Sequence, residues 1–365
     1  MKIGIVTIYD NTNFGNRLQN YAVSHTLESQ FRCKAVTLVS YKDKAFYNGN
    51  YVLWLKNVIA YSLCVFPEIA EKYLGNSTTR WSNFQKWTYK NIPTKVYYGC
   101  DSLSETLNDQ YDVFFAGSDQ IWNYKFPRTN FDNFFLKFAD DKKKAAICGS
   151  FGVDKIPEEL TQMYIDGLSH FSHISVREDA GAGIVKELVG RDVQVLVDPV
   201  MLLSQQEWLK VAKKTRVDIS KPYVLKYYLG DEVEEEKIDH WAEENGYTVY
   251  ELLNDSIPEL YSAGPGEFIT LIANASLVVS DSFHCITFSI IFKKPFIVYE
   301  RCGTENYMIS RLETLLRKFG FTNRWKHLLL PDEYLKCEYS NVDEIMKSEQ
   351  KKLIDYIQMV LDSND

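Results

Sequence analysis

Long apolar runs, paired cysteines and an excess of basic charge are all missing from this chain of 365 residues. The apolar stretch Val52 to Phe66 contains Lys56 and is 15 residues long, short of the roughly 20 that cross a bilayer. Its seven cysteines, at positions 33, 64, 100, 148, 285, 302 and 337, are odd in number and scattered without a Cys-x-x-Cys pair. That spacing argues against a disulfide framework and a zinc site, and for reduced thiols inside the cell. A formal net charge of −8 excludes a general nucleic-acid binder, because neutralising phosphates needs a basic face. The motifs Gly-x-Gly-x-x-Gly, Walker A, Gly-x-Ser-x-Gly, His-Glu-x-x-His and Asp-x-Asp are absent. Dinucleotide, P-loop, serine-hydrolase and zinc-protease chemistry therefore lack their signatures, as does metal-assisted sugar-nucleotide transfer. The N-terminal run Met1-Lys-Ile-Gly-Ile-Val-Thr-Ile is too short for a signal peptide and reads as a strand. A cytoplasmic location is expected, and the Asn-x-Ser/Thr triplets at Asn76, Asn254 and Asn274 are taken as chance.

What is present is ordinary globular material, 45% hydrophobic and 25% charged, in a chain too long for one core. Ile3 to Ile8, Lys34 to Val39, Asp112 to Ala116, Lys144 to Gly149, His173 to Val176 and Val193 to Val197 read as short buried strands alternating with helical segments. After Asp198-Pro199 the rhythm restarts at Tyr223 to Tyr228, Thr248 to Leu252, Leu277 to Val279 and Phe296 to Tyr299. The pattern predicts an α/β fold of two Rossmann-like domains, 1–197 and 198–335, facing a central cleft. An aromatic insertion at about 46–100, with Trp54, Trp81 and Trp87, predicts a helical segment buried in or covering that cleft; peripheral membrane contact is the alternative. Asp231 to Lys237 reads as a solvated helix start. Met346, Leu353, Ile357, Val360 and Leu361 predict that 336–365 forms a helix with one buried stripe crossing back over the junction.

Four polar clusters follow expected strands. In the first, Gly15 allows a tight turn, while Asn16, Gln19 and Asn20 supply amide donors and acceptors and Arg17 a fixed charge. The second, Gly117-Ser118-Asp119-Gln120-Ile-Trp122-Asn123, mixes hydroxyl, carboxylate, amide and indole groups as carbohydrate sites do, although Asp119 could equally be a helix cap. In the third, Arg177 either grips an anion or pairs with Glu178 or Asp179. The fourth joins Arg301 and Asn306 to Arg311, a cation in the first turns of a helix, where the dipole disfavours it. Beside these, Ser280-Asp281-Ser282-Phe283-His284 stands between a buried strand and a helix start, where ligands of open α/β sheets gather. Alone, His284 reads as a packing or capping residue; with the other polar loops, proton transfer is the better reading.

In order and spacing, Gly15-Asn16-x-Leu-Gln-x-Tyr-Ala22, Gly117-Ser-Asp-Gln-x-Trp-Asn123, Ser175-Val-Arg-Glu178, Asp198-Pro199 and Ser280-Asp-Ser-Phe-His284 with Lys294-Pro295 resemble the signatures of the polysaccharide pyruvyl transferase family over residues 1 to about 325. The resemblance implies a GT-B-like fold and transfer of pyruvate from phosphoenolpyruvate to a sugar hydroxyl pair as a ketal, with no other cofactor and no metal. It implies His284, Arg177 and Asp119 as catalytic groups, and Ser280, Asp281, Ser282, Arg301 and Arg311 around the donor. Gly15, Asn16, Gln19, Asn20, Ser118, Gln120 and Trp122 would hold a saccharide or lipid-linked oligosaccharide, at the inner membrane face if that acceptor is anchored. Family members carry an Arg-Leu-His type motif where this chain has Ser282-Phe283-His284, so the histidine is kept and the arginine replaced. A glycosyltransferase using a nucleotide sugar and a non-catalytic carbohydrate-binding protein remain the alternatives.

Overall fold

The computed structural model describes residues 1–10, 12–41, 76–98, 100–126, 130–230, 236–301 and 309–364. Strands β1 (Lys2–Val6), β2 (Lys34–Tyr41), β3 (Thr94–Tyr98), β4 (Val113–Ala116), β5 (Lys144–Gly149), β6 (His173–Val176) and β7 (Gln194–Val195) form one parallel sheet in the order β3-β2-β1-β4-β5-β6-β7. Strands β8 (Tyr223–Tyr227), β9 (Thr248–Glu251), β10 (Leu277–Ser280) and β11 (Phe296–Val298) form a second parallel sheet in the order β11-β10-β8-β9. All ten expected strands are present. The additional one, β3, lies inside the segment expected to be helical, so that segment ends in an edge strand paired with β2. The chain leaves β1 toward β2 and later returns to its other side at β4, and it leaves β8 toward β9 and returns at β10. Each sheet thus has a switch point where loops diverge and leave a crevice.

Helices α1 (Phe14–Ser29), α2 (Asn76–Asn91), α3 (Glu158–Ser169), α4 (Asp179–Val189), α5 (Gln205–Val211), α6 (Glu236–Glu244), α7 (Pro265–Asn274), α8 (Phe283–Ile291), α9 (Ile309–Phe319) and α10 (Val342–Asp362) cover the sheets. One apolar core runs through both halves. Phe14, at the start of α1, stacks on Phe268 of α7 with ring centroids 4.4 Å apart and meets Phe84 of α2 at 5.0 Å. Helix α2 clips the halves together: Arg80 donates to the carbonyls of Thr12 (2.6 Å) and Tyr261 (3.0 Å), and the Trp87 indole to that of Val211. The aromatic segment therefore contributes a helix between the domains; Val52 to Phe66 and Trp54 lie outside the described residues, as do Asp231 to Glu235 and Asn306.

Helix α10 buries Leu353, Tyr356, Ile357, Val360 and Leu361, the three-four spacing of one helical face. It returns to the first domain, where the Tyr356 hydroxyl donates to the Ala146 carbonyl of β5 at 2.7 Å. Among the described residues no helix is long and apolar enough to cross a membrane. The five described cysteines are free thiols.

Candidate functional site

The two switch points meet. The loops after β1 and β4 and the end of β6 come from the first sheet, the loop after β10 from the second, and the segment between the domains passes beside them. Helix α8 opens at Ser282, whose side chain makes no cap hydrogen bond; helix N-termini present N–H groups of the kind that bind anions. His284, 7% exposed, lies in this first turn and reaches across to α1. An added Cβ on Gly15 would fall 2.0 Å from its Nδ1. Its Nε2 points the other way, 3.4 Å from Asp198 Oδ2, without hydrogen-bond geometry.

Asp198 is the hub. Its Oδ2 receives Arg177 Nη1 at 2.5 Å and the Ser118 hydroxyl at 3.3 Å, while Oδ1 takes the Val200 N–H at 3.0 Å. Burial opposes its ionisation, but His284, Arg177 and the Val200 N–H outweigh that and hold the carboxyl well below the usual range. Arg177 also reaches Asp119 Oδ1 at 3.5 Å, and its guanidinium lies 4.4 Å from the centroid of the Phe283 ring. For Arg177 burial works against the charge, and Asp198 and Asp119 more than restore it. Asp119, likewise opposed by burial, is lowered by Arg177, His284 and Arg311. The pairing of Arg177 with Glu178 or Asp179 weighed from sequence does not form. Glu178 Oε1 accepts from Ser150, Phe151 and Gly152 after β5, and Asp179 pairs with Arg317.

Arg311 approaches the same Phe283 ring at 5.8 Å. With the Gln120 amide oxygen turned toward it, two guanidinium bonds of 3.0 and 3.2 Å form. Its Nε has no partner, and among the described residues it forms no ion pair with a carboxylate. Burial, followed by the neighbouring Arg177, pushes its pKa down to about 9. A buried arginine in that position has positive charge to spare.

The other expected site residues divide by position. Asn16 donates to Asp119 Oδ2, and Gln19 accepts the Ser118 N–H at 3.1 Å, so both brace the cluster. Asn20 faces β2 instead, accepting from Thr37 at 2.8 Å. Trp122 is fully buried in the first domain among Phe135, Phe151 and Phe171, with its indole N–H given to the Phe134 carbonyl; its ring is not at the cleft surface. Asp281 accepts the N–H groups of Leu229 and Gly230, each at 2.8 Å, and Arg301 Nε at 3.1 Å. Ser280 donates to the Tyr227 carbonyl and accepts the Ser282 N–H. Ser280, Asp281 and Arg301 thus build the loop that aims α8. The sequence reading did not single out Asp198 or Phe283 for a role, although both lie within quoted motifs. Among the described residues no group of His, Cys, Asp or Glu is placed to hold a metal. A cavity of about 540 Å³ lies between α4 and α9, lined by Asp154, Asp179, Ser310, Glu313, Thr314 and Arg317. A second, of about 390 Å³, lies at the far end of α8 beside α10.

A family model described as polysaccharide pyruvyl transferase matches residues 13–303. No curated protein matches the chain. Among solved structures, the UDP-GlcNAc 2-epimerase of Methanocaldococcus jannaschii is similar at 13% identity, over 98% of this chain and 100% of that one, with a TM-score of 0.47. Anabaena Alr3699/HepE, solved in complex with UDP, is similar at 11% identity over 100% of both chains, with a TM-score of 0.46. The E. coli heptosyltransferase WaaC with ADP is similar at 10% identity over 85% of this chain and 90% of that one, with a TM-score of 0.35.

Proposed function

Because the chain belongs to the polysaccharide pyruvyl transferase family and is a transferase, we propose that it moves pyruvate from phosphoenolpyruvate onto two hydroxyls of a saccharide destined for the cell surface, releasing phosphate. Arg311 carries this reading. It is a buried cation that forms no ion pair with a carboxylate among the described residues, beside the N-terminal turn of α8 and one aromatic ring away from Arg177. A small donor bearing both phosphate and carboxylate groups matches that combination. It also supplies the charge that the serine at position 282 does not.

His284 acts as general acid and base. It delivers a proton to the donor's methylene carbon, which becomes a methyl group and leaves an oxocarbenium-like carbon. A sugar hydroxyl adds to that carbon and returns its proton to His284. The carbon–oxygen bond to phosphate then breaks with its electron pair leaving on phosphate. The second hydroxyl closes the ketal and its proton departs with phosphate. Arg177 and Arg311 oppose the donor's charge throughout, and Asp119 positions the acceptor. The scheme calls on no metal or further cofactor. A lipid-linked oligosaccharide is the acceptor we favour, which would bring the enzyme to the inner membrane face.

The decisive assay is phosphate release from phosphoenolpyruvate against a panel of galactoside and mannosamine-type acceptors. Release that requires both substrates supports the reading. No release across the panel, or turnover of a nucleotide sugar without phosphoenolpyruvate, overturns it. In the same assay Arg311→Met is expected to raise the donor KM by about 10-fold or more, since a charge-assisted bond contributes roughly 1.5–3 kcal/mol. Its melting temperature should change little, because the two bonds lost to Gln120 are offset by removal of a buried charge that has no carboxylate partner among the described residues.

A further inference from the structure

We propose that Phe283 is the positioning residue that sets Arg177 and Arg311 as a pair, and that through this pair it selects a small donor carrying two anionic groups over one carrying a single group. The proposal rests on the functional reading above and on three side chains. The Phe283 side chain is buried, 5% exposed. Arg177 Cζ lies over its ring at 4.4 Å from the centroid, and Arg311 Cζ at 5.8 Å. The face of an aromatic ring is its electron-rich part, so it attracts a cation, the more strongly once water is excluded. Two buried guanidiniums otherwise repel each other; after burial itself, Arg177 is the largest influence against the charge on Arg311. One ring shared by both offsets part of that repulsion and fixes the spacing between them.

What the pair offers a ligand follows from which nitrogens are already used. Arg177 gives Nη1 to Asp198 at 2.5 Å and reaches Asp119 with Nη2 at 3.5 Å. With the Gln120 amide oxygen turned toward it, Arg311 gives it both Nη atoms, at 3.0 and 3.2 Å. Each fork is therefore held by its Nη end, and each keeps a buried Nε with no hydrogen-bond partner among the described residues. A buried donor left unpaired is costly, and an anion that reaches it removes the cost. The two groups differ in what they supply. The charge of Arg177 is matched by Asp198 and Asp119, so it brings chiefly an N–H; Arg311 brings net charge as well. A phosphate and a carboxylate joined by a short skeleton address both at once, whereas inorganic phosphate has one group to give. The second contact of the joined pair is intramolecular, and that advantage depends on the guanidinium spacing and hence on the ring. Phe283 also belongs to the apolar core, but packing alone does not require an aromatic face there.

Equilibrium binding of phosphoenolpyruvate and of inorganic phosphate to the full chain, followed by calorimetry, tests this with Phe283→Leu, Arg311→Met and the double variant. Phe283→Leu is expected to weaken phosphoenolpyruvate binding by about 3- to 30-fold, the range of a cation–π contact. Inorganic phosphate should be weakened by less, so that the ratio of the two affinities narrows. In the Arg311→Met background the same change should cost a smaller factor, because the ring then has one guanidinium left to hold. A side chain that only packs would lower both affinities by the same factor and act independently of Arg311. An unchanged ratio, or equal factors in the two backgrounds, overturns the proposal and leaves the functional reading standing. If Phe283→Leu does not fold, Phe283→Met is measured in its place and the same comparisons decide. Failure of wild type to bind phosphoenolpyruvate overturns the functional reading, and this proposal with it.

Discussion

Replacing His284 with glutamine is expected to lower acceptor-dependent phosphate release by about 10²- to 10⁴-fold, the range that a lost general acid–base group costs, while the protein stays folded. The fold should tolerate the change because glutamine is close to histidine in size and the rest of α8 is apolar or internally bonded: Thr287 and Ser289 give their hydroxyls to carbonyls one turn earlier. Asp198 is not left bare either, since Arg177, Ser118 and the Val200 N–H remain on it. A stability loss below about 1 kcal/mol is the expected scale, because His284 gives up a 3.4 Å contact with Asp198 and no hydrogen bond. Turnover and melting temperature measured on the same preparation separate the two effects. Release within twofold of wild type would remove His284 from the chemistry.

The sequence showed the strands because most are buried on both faces, which leaves near-continuous apolar runs such as Val113 to Ala116 and Leu277 to Val279. Strand β3 escaped for the opposite reason. Thr94–Tyr98 is an edge strand of mixed polarity, directly after Pro93 and inside a stretch dominated by aromatic residues. Loop chemistry was legible where polar groups cluster along the chain, as at Asn16 to Gln19 and Ser118 to Gln120, and these do meet. Its partners were not. Ser118 and Asp198 share a hydrogen bond across 80 positions, and nothing local to Asp198-Pro199 announces that contact.

Arg177 illustrates the limit most clearly. Local spacing offered Glu178 and Asp179 as partners, but successive side chains leaving a strand point to opposite faces. Arg177 turns to the cleft and Glu178 to the backbone after β5. Trp122 misled in a related way. Its place among polar residues suggested a sugar-stacking ring, whereas the cluster wraps around a core indole lying against the backbone of Gly149, where an added Cβ would meet the ring at 2.7 Å. Composition identifies which groups are available; only the switch-point geometry decides which of them face the crevice.

Gly15→Ala is expected to damage both turnover and stability. Taken as a helix residue, Gly15 should welcome alanine, which favours a helix by about 1 kcal/mol. The structure reverses that sign, because the new Cβ would lie 2.0 Å from His284 Nδ1, 2.5 Å from Cε1 and 2.6 Å from Cγ. The imidazole has little room to retreat, with Asp198 behind Nε2 and the Phe283 ring edge-on at 5.3 Å. Overpacking of this kind costs about 1–3 kcal/mol, and a displacement near 1 Å at a reacting group can cost about 10²-fold in rate. Turnover should therefore fall by about two orders of magnitude, together with a lower melting temperature. The double variant Gly15→Ala with His284→Ala separates the causes: removing the ring should return the lost stability but none of the activity, a non-additivity expected only of side chains in contact. If Gly15→Ala alone leaves both turnover and melting temperature at wild-type values, His284 does not occupy this position against α1.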